Sequence, residues 1–279
     1  MHALRLRARF ALLLARRTVH AFIADSGTSW SAATAFYLVL SVPPRLIAFT
    51  SSAVGIAGAQ AARTFVTQQV GQFLPAGSSQ LKSVVDSTIV GFGPAAAISI
   101  GFLLVSGTRV FEALARAINV FWSHVDDAGW LRRQVSRGLL LVVVGGLFSL
   151  SVGLEVATAV VGRGLHLPPI ADWLLRSQLL PALLVFAGLL ATYRLLPHNA
   201  ASWRTAATGA LTGTLLLRLA QAFFTLFLAT FGNFRSAYGP LASIAILMSW
   251  ALIASGAVLL AAELVAVLDR RRIPGRKRP

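Results

Sequence analysis

Six stretches of this chain are apolar for long enough that a helix formed by any of them would cross a bilayer. They lie near 31–58, 91–111, 138–161, 178–197, 205–231 and 237–267. A hydrocarbon core of about 30 Å needs roughly 20 helical residues. Composition makes the same point. Of 279 residues 56% are hydrophobic and 12% charged, about half the usual charged share of roughly 25%, and the mean hydropathy is +0.74. So few charges leave too little polar surface to cover that much apolar area in water. A soluble enzyme and a disordered tail are excluded. The absence of cysteine excludes a disulfide scaffold and thiolate metal sites.

The formal net charge of +16 would point to nucleic acid in a soluble protein. Here the basic residues sit between apolar runs, where they encode orientation. Arg5, Arg7, Arg9, Arg16 and Arg17 precede the first run; Arg109, Arg116, Arg132, Arg133 and Arg137 join the second to the third. Arg194 and Arg204 join the fourth to the fifth, and Arg270, Arg271, Arg272, Arg276, Lys277 and Arg278 close the chain. The opposite loops carry only Arg63, Lys82, Arg163, Arg176 and Arg235. The asymmetry predicts both termini on the cytoplasmic side, and an even number of spans agrees by placing them on one side.

Three units are expected: a cytoplasmic amphipathic segment over 1–29, a single six-helix transmembrane domain over 30–268, and a basic cytoplasmic tail over 269–279. On a helical wheel His2, Arg5, Arg9, Arg16 and His20 oppose Leu6, Phe10, Leu13 and Leu14, the pattern of a helix lying on an anionic leaflet. The apolar run from Phe10 to Ala15 is too short for a signal peptide and lacks a cleavage site. Residues 60–90, broken by a turn at Leu74-Pro75-Ala76-Gly77-Ser78, read as two short amphipathic helices in the first outer loop. The fold class is therefore an all-α integral membrane protein with six transmembrane helices, an N-terminal interfacial helix and these short outer helices.

Charges inside the apolar runs are the candidate functional residues, because each costs roughly 2.5–3.5 kcal/mol at mid-bilayer on the insertion scale. Arg45 follows Pro43-Pro44 in the first run, Arg218 lies midway along the fifth, and Glu155 sits in the outer part of the third. Arg109, Glu112 and Glu263 lie near cytoplasmic ends, as transport-path or ion-pair residues. Thr214, Arg218, Gln221 and Thr225 follow at i, i+4, i+7 and i+11, one polar stripe along an apolar helix. Arg45, Thr214, Arg218 and Gln221 are thus candidates for binding an anion or lipid head group, since arginine holds phosphate and carboxylate bidentately. The alternative is structural, with Arg45 and Arg218 snorkelling or pairing with Glu155 and Gln221. Pro43 and Pro44 must break or bend the first helix, and Gly232, Gly239 and Pro240 form a candidate hinge at the outer mouth.

Hydrolytic chemistry finds little support. Phosphodiester cleavage by metal ions needs clustered carboxylates and histidines, yet His2, His20, His124, His166 and His198 fall on separate segments. The compact His124-Val125-Asp126-Asp127 reads as a solvated turn. There is no Gly-x-Ser-x-Gly elbow and no phosphate-binding glycine loop. No metal, no cofactor and no enzymatic activity are expected.

Four segments resemble the YihY/virulence factor BrkB family of bacterial inner-membrane proteins. They are Ser31-Ala32-Ala33-Thr34-Ala35-Phe36-Tyr37 through Leu40-Ser41-Val42-Pro43-Pro44; Arg109-Val110-Phe111-Glu112-Ala113-Leu114 with Ala117-Ile118-Asn119 and Trp122; Tyr193-Arg194-Leu195-Leu196-Pro197 followed by Trp203-Arg204 and Gly209; and Phe231-Gly232-Asn233-Phe234 with Tyr238-Gly239-Pro240-Leu241, Ile246, Trp250 and Ala262-Glu263-Leu264. The resemblance covers about residues 25–268. Arg45 departs from it, standing where the family continues with an apolar residue, and Ala261-Ala262-Glu263 replaces the usual Gly-Ala-Glu. It implies six helices in the inner membrane with both ends cytoplasmic. It also implies links to virulence, serum resistance and envelope lipid export, and some members carry an older ribonuclease BN label.

The expected function is an inner-membrane carrier or flippase-like protein for an anionic amphiphile or lipid. The lipid comes from the resemblance; the anionic preference comes from the arginines. The rival is a non-enzymatic scaffold or accessory protein of envelope biogenesis, and a small-ion channel is a lesser alternative. Expected partners are membrane lipids, preferentially anionic, and not nucleic acid; homo-oligomerisation stays open.

Overall fold

The computed structural model describes residues 2–41, 109–122, 135, 138, 179–197, 201–230 and 242–270, and among them no strand occurs. We number the helices α1 (His2–Ala24), α2 (Gly27–Leu40), α3 (109–121), α4 (Leu179–Leu195), α5 (Trp203–Thr230) and α6 (Ala242–Arg270). Two are long and apolar enough to cross a membrane: α5 over Trp203–Leu228 and α6 over Ile244–Arg270. Pro181–Leu195 of α4 is a shorter apolar helix. These three coincide with the apolar runs expected near 178–197, 205–231 and 237–267.

The runs near 31–58, 91–111 and 138–161 are described only at 31–41, 109–111 and 138. The outer-loop helices of 60–90 and the tail beyond Arg270 lie outside the described residues. The N-terminal segment is helical over α1, and the second helix opens at Gly27.

The helices are built from sequence features that need little help from water. Leu and Ala dominate α4, α5 and α6. Their hydroxyls bond back to the carbonyl one turn earlier, as Thr192 does to Gly188, Thr214 to Ala210 and Ser249 to Ala245, each at 2.8 Å. Such internal pairing satisfies a polar group where no solvent competes. At the start of α5, Ser202 Oγ accepts the Thr205 N–H at 3.3 Å, an N-cap that occupies one orphan donor.

Two residues separate α1 from α2. Ser26 takes a left-handed conformation, φ 57°, and its carbonyl accepts from the Ser29 and Trp30 N–H groups at 3.0 and 3.2 Å. Gly27 follows because a Cβ there would overlap the Phe22 ring.

Packing concentrates at the end where α5 begins and α6 finishes. Phe121, Ile118, Tyr193, Ala206, Ala210, Leu259, Ala262 and Val265 form one buried cluster there, drawn from α3, α4, α5 and α6. Helix α6 is central: it packs against α2, α5 and α1, and touches α4.

Candidate functional site: the two faces of helix α6

One face of α6 is made for close approach. Gly209 and Gly213 of α5 lie one turn apart opposite Ala261 and Val265. A Cβ on Gly209 would overlap Val265 Cγ2, and one on Gly213 would stand 3.2 Å from Ala261 Cβ and 3.1 Å from the Tyr193 hydroxyl oxygen. Glycine therefore lets the two backbones meet, and dispersion over that contact holds them where lipid gives no hydrophobic drive. Tyr193 of α4, fully buried, donates its O–H to the Val258 carbonyl at 2.7 Å. That bond ties a third helix to the same face.

The other face is polar. Gly256, Glu263 and Arg270 are spaced by seven and so share one side of α6. At the Gly256 end a Cβ would come within 3.8 Å of Ser31 Oγ of α2. At the other end Arg270 donates to the Phe121 carbonyl of α3 and lies 3.9 Å from Asp25 in the α1–α2 link. Glu263 stands between these contacts and is fully buried. The facing surface of α2 buries Ser31 and Thr34, whose hydroxyls bond to Gly27 and Trp30 carbonyls at 2.7 and 2.8 Å.

The stripe expected on α5 is graded along the helix. Thr214 is buried, Arg218 half-buried, and Gln221 and Thr225 exposed. Thr214 directs its proton to Ala210, and Thr225 to the Gln221 carbonyl at 2.9 Å. Leu211, Leu215, Leu219, Phe223 and Leu226 form an exposed apolar row beside it. Arg218 thus lies on the border between the packed side of α5 and that row.

Glu112 of α3 receives two arginines, Arg109 at 3.0 Å and Arg116 at 2.6 Å. Both guanidinium groups are mostly exposed, so these pairs are weak in stability terms. Arg194 donates to the Ala201 carbonyl and lies 4.7 Å from the centre of the Trp203 ring, closing the α4–α5 connection. Arg45, Glu155, Pro43, Pro44, Gly232, Gly239 and Pro240 lie outside the described residues.

Gly209 enters the sequence reading only within the family resemblance, and no packing role is assigned there to it, to Gly213 or to Arg270. A signal for the first pair exists in the Gly-Ala-Leu-Thr-Gly spacing of residues 209–213, a small-xxx-small motif. Nothing local marks Arg270, whose partners are distant in the chain.

Comparison with known proteins assigns the chain to a group. The sequence model of the family described as "Virulence factor BrkB" matches residues 18–279. A UPF0761 membrane protein of Photobacterium profundum is 26% identical over 263 residues, covering 93% of this chain and 80% of its own. One from Aliivibrio salmonicida is 25% identical over 269 residues, covering 96% and 85%. One from Tolumonas auensis is 30% identical over 196 residues, covering 64% of this chain and 61% of its own. No solved structure matches.

Proposed function

For a chain that belongs to the virulence factor BrkB family of membrane proteins, we propose the role of an inner-membrane carrier or flippase-like protein for an anionic amphiphile. In this reading it crosses the membrane six times, with both ends cytoplasmic, and is not an enzyme. The observation that carries the reading is Arg218, half-buried midway along an apolar helix and beside the exposed row of Leu215 and Leu219. A guanidinium in that position offers a bidentate contact to a phosphate or carboxylate, while the apolar row suits acyl chains. Gln221, exposed one turn on, adds an amide to the same site. Thr214 closes its buried end, and Arg45 supplies a second cation.

The test is native mass spectrometry of the full chain in mild detergent. Wild type should retain an anionic phospholipid that Arg218→Ala loses, with both proteins unfolding at the same temperature. Equal retention by both would leave Arg218 a structural residue and end the carrier reading.

A second reading, a membrane scaffold or accessory protein, draws on α1. Arg9, Arg16 and Arg17 are exposed there, and so are Phe10, Leu12 and Leu13. A basic and apolar helix of this kind suits an anionic leaflet. That reading expects Arg218→Ala to be silent in cells and reversal of charge at Arg16 and Arg17 to abolish function.

A further inference from the structure

We propose that Glu263 is a proton-exchange site, and that its proton couples the transmembrane gradient to the carrier cycle. The coupling rests on the carrier reading above; the proton site itself does not.

Three observations support it. Glu263 is fully buried in a helix long and apolar enough to cross a membrane. Ionisable side chains in such places are expensive to keep and commonly mark proton relays. Next, the side of α6 that carries it is the polar one, bounded by Ser31 of α2 at the Gly256 end and by the Arg270–Asp25 pair at the other. Glu263 to Arg270 is seven residues, about 10 Å along the axis, so the carboxyl lies two turns inside the charged end. Finally, Ser255 is buried on the same helix, and its Oγ has no hydrogen-bond partner among the described residues. A buried hydroxyl left in that condition is a place for water. Eight residues, about 12 Å along the axis, separate it from Glu263, a gap that water would have to bridge in any proton path.

Every described helix carries ionisable groups of its own. On α6, Asp269 and Arg270 follow it, and the α1–α2 link supplies Asp25, 3.9 Å from Arg270. Helix α2 contributes one titratable group, the half-buried Tyr37. On α1, Arg16, Arg17 and His20 are exposed. On α3, Glu112 is held by Arg109 and Arg116. On α4, Tyr193 bonds to Val258 on the opposite face of α6, and Arg194 turns to Ala201. On α5, Arg204 is exposed, and Arg218 is half-buried five residues beyond Gly213. The step itself is balanced: the carboxylate takes one proton from one side of the membrane and returns it to the other.

The decisive measurement is an infrared pH titration of the full chain in nanodiscs. Wild type should show a protonated-carboxyl band that grows and fades with pH, absent from Glu263→Gln and displaced in Glu263→Asp. The aspartate variant makes the assignment even where the glutamine variant folds poorly. A titrating carboxyl signal identical in all three proteins would overturn the proposal. In proteoliposomes containing fluorescent phosphatidylglycerol, an imposed pH gradient should speed lipid translocation severalfold in wild type and leave Glu263→Gln unaffected. An equal response in both would overturn the coupling. Lipid that stays immobile in wild type under every gradient would overturn the carrier reading and the coupling with it, while the infrared band would still decide the proton site.

Discussion

Gly209 backs directly onto Val265: the α5 glycine leaves only enough room for the Cγ2 methyl of α6, and any side chain there would overlap it. The neighbouring glycines differ in a graded way. At Gly213 a Cβ would press on Leu189 Cδ1 at 2.9 Å, the end of a flexible side chain, and at Gly256 it would sit 3.8 Å from Ser31 Oγ. Overpacking a tight contact typically costs about 1–3 kcal/mol. Thermal unfolding in detergent should therefore rank the alanine variants, with Gly209→Ala the least stable, Gly213→Ala intermediate and Gly256→Ala near wild type. A reversed order would show that α5 and α6 do not meet at Gly209.

Tyr193 contributes through volume more than through its hydroxyl. Tyr193→Phe removes one interhelical hydrogen bond, the 2.7 Å link to Val258; such bonds average about 0.6 kcal/mol in membrane proteins. Tyr193→Ala also empties a fully buried site, and large-to-small changes of aromatic residues cost about 3–5 kcal/mol. Unfolding midpoints should separate the two clearly. Equal losses would make the hydroxyl the dominant contribution.

Arg270→Ala should loosen three segments at once, because its guanidinium reaches both the Phe121 carbonyl and Asp25. Amide exchange ought to rise around residues 18–25 and 118–122 while α5 stays protected. Arg270→Lys should restore only part of the protection, since an ammonium lacks the planar fork that serves two acceptors. Exchange confined to α6 would show that the clasp does not hold the other two segments.

At Arg218 the expected loss is of affinity without loss of fold. A hydrogen bond to a charged group contributes about 1.5–3 kcal/mol, so Arg218→Ala should weaken retention of anionic phospholipid roughly tenfold or more. Arg218→Lys should fall between, keeping the charge and losing the bidentate geometry. Titration of the purified protein with phosphatidylglycerol in detergent measures this. Identical binding curves would remove Arg218 from any head-group site.

The sequence makes helices α4, α5 and α6 legible because an apolar run of bilayer length carries its own evidence: Leu179–Leu195, Trp203–Thr230 and Ala242–Arg270 fall where the runs near 178–197, 205–231 and 237–267 lie. Partners were harder to read. That Glu263 stands between Ser31 and Asp25 depends on residues more than 200 positions away, and no local pattern encodes such a distance. The left-handed turn at Ser26 was equally hidden, since serine gives no strong signal for positive φ. The α5 stripe was visible as a periodicity, but periodicity gives only angles around a helix. The change from buried Thr214 to exposed Gln221 comes from where the neighbouring helices stop covering α5.

That uneven covering has a mechanical meaning. The first half of α5 is gripped at Ala206, Gly209, Ala210 and Gly213, whereas beyond Thr214 the only buried side chain among its described residues is Phe224, against Trp250. Among the described residues the helix is gripped firmly over its first half and, past Leu217, more lightly over its second, which gives it the shape of a lever. From Gly213 to Thr230 the more lightly packed arm measures about 25 Å. A tilt of about 10° at the glycines would sweep the tip through roughly 4 Å, with Arg218 carried along close to the pivot, where the travel is small and the force is greatest.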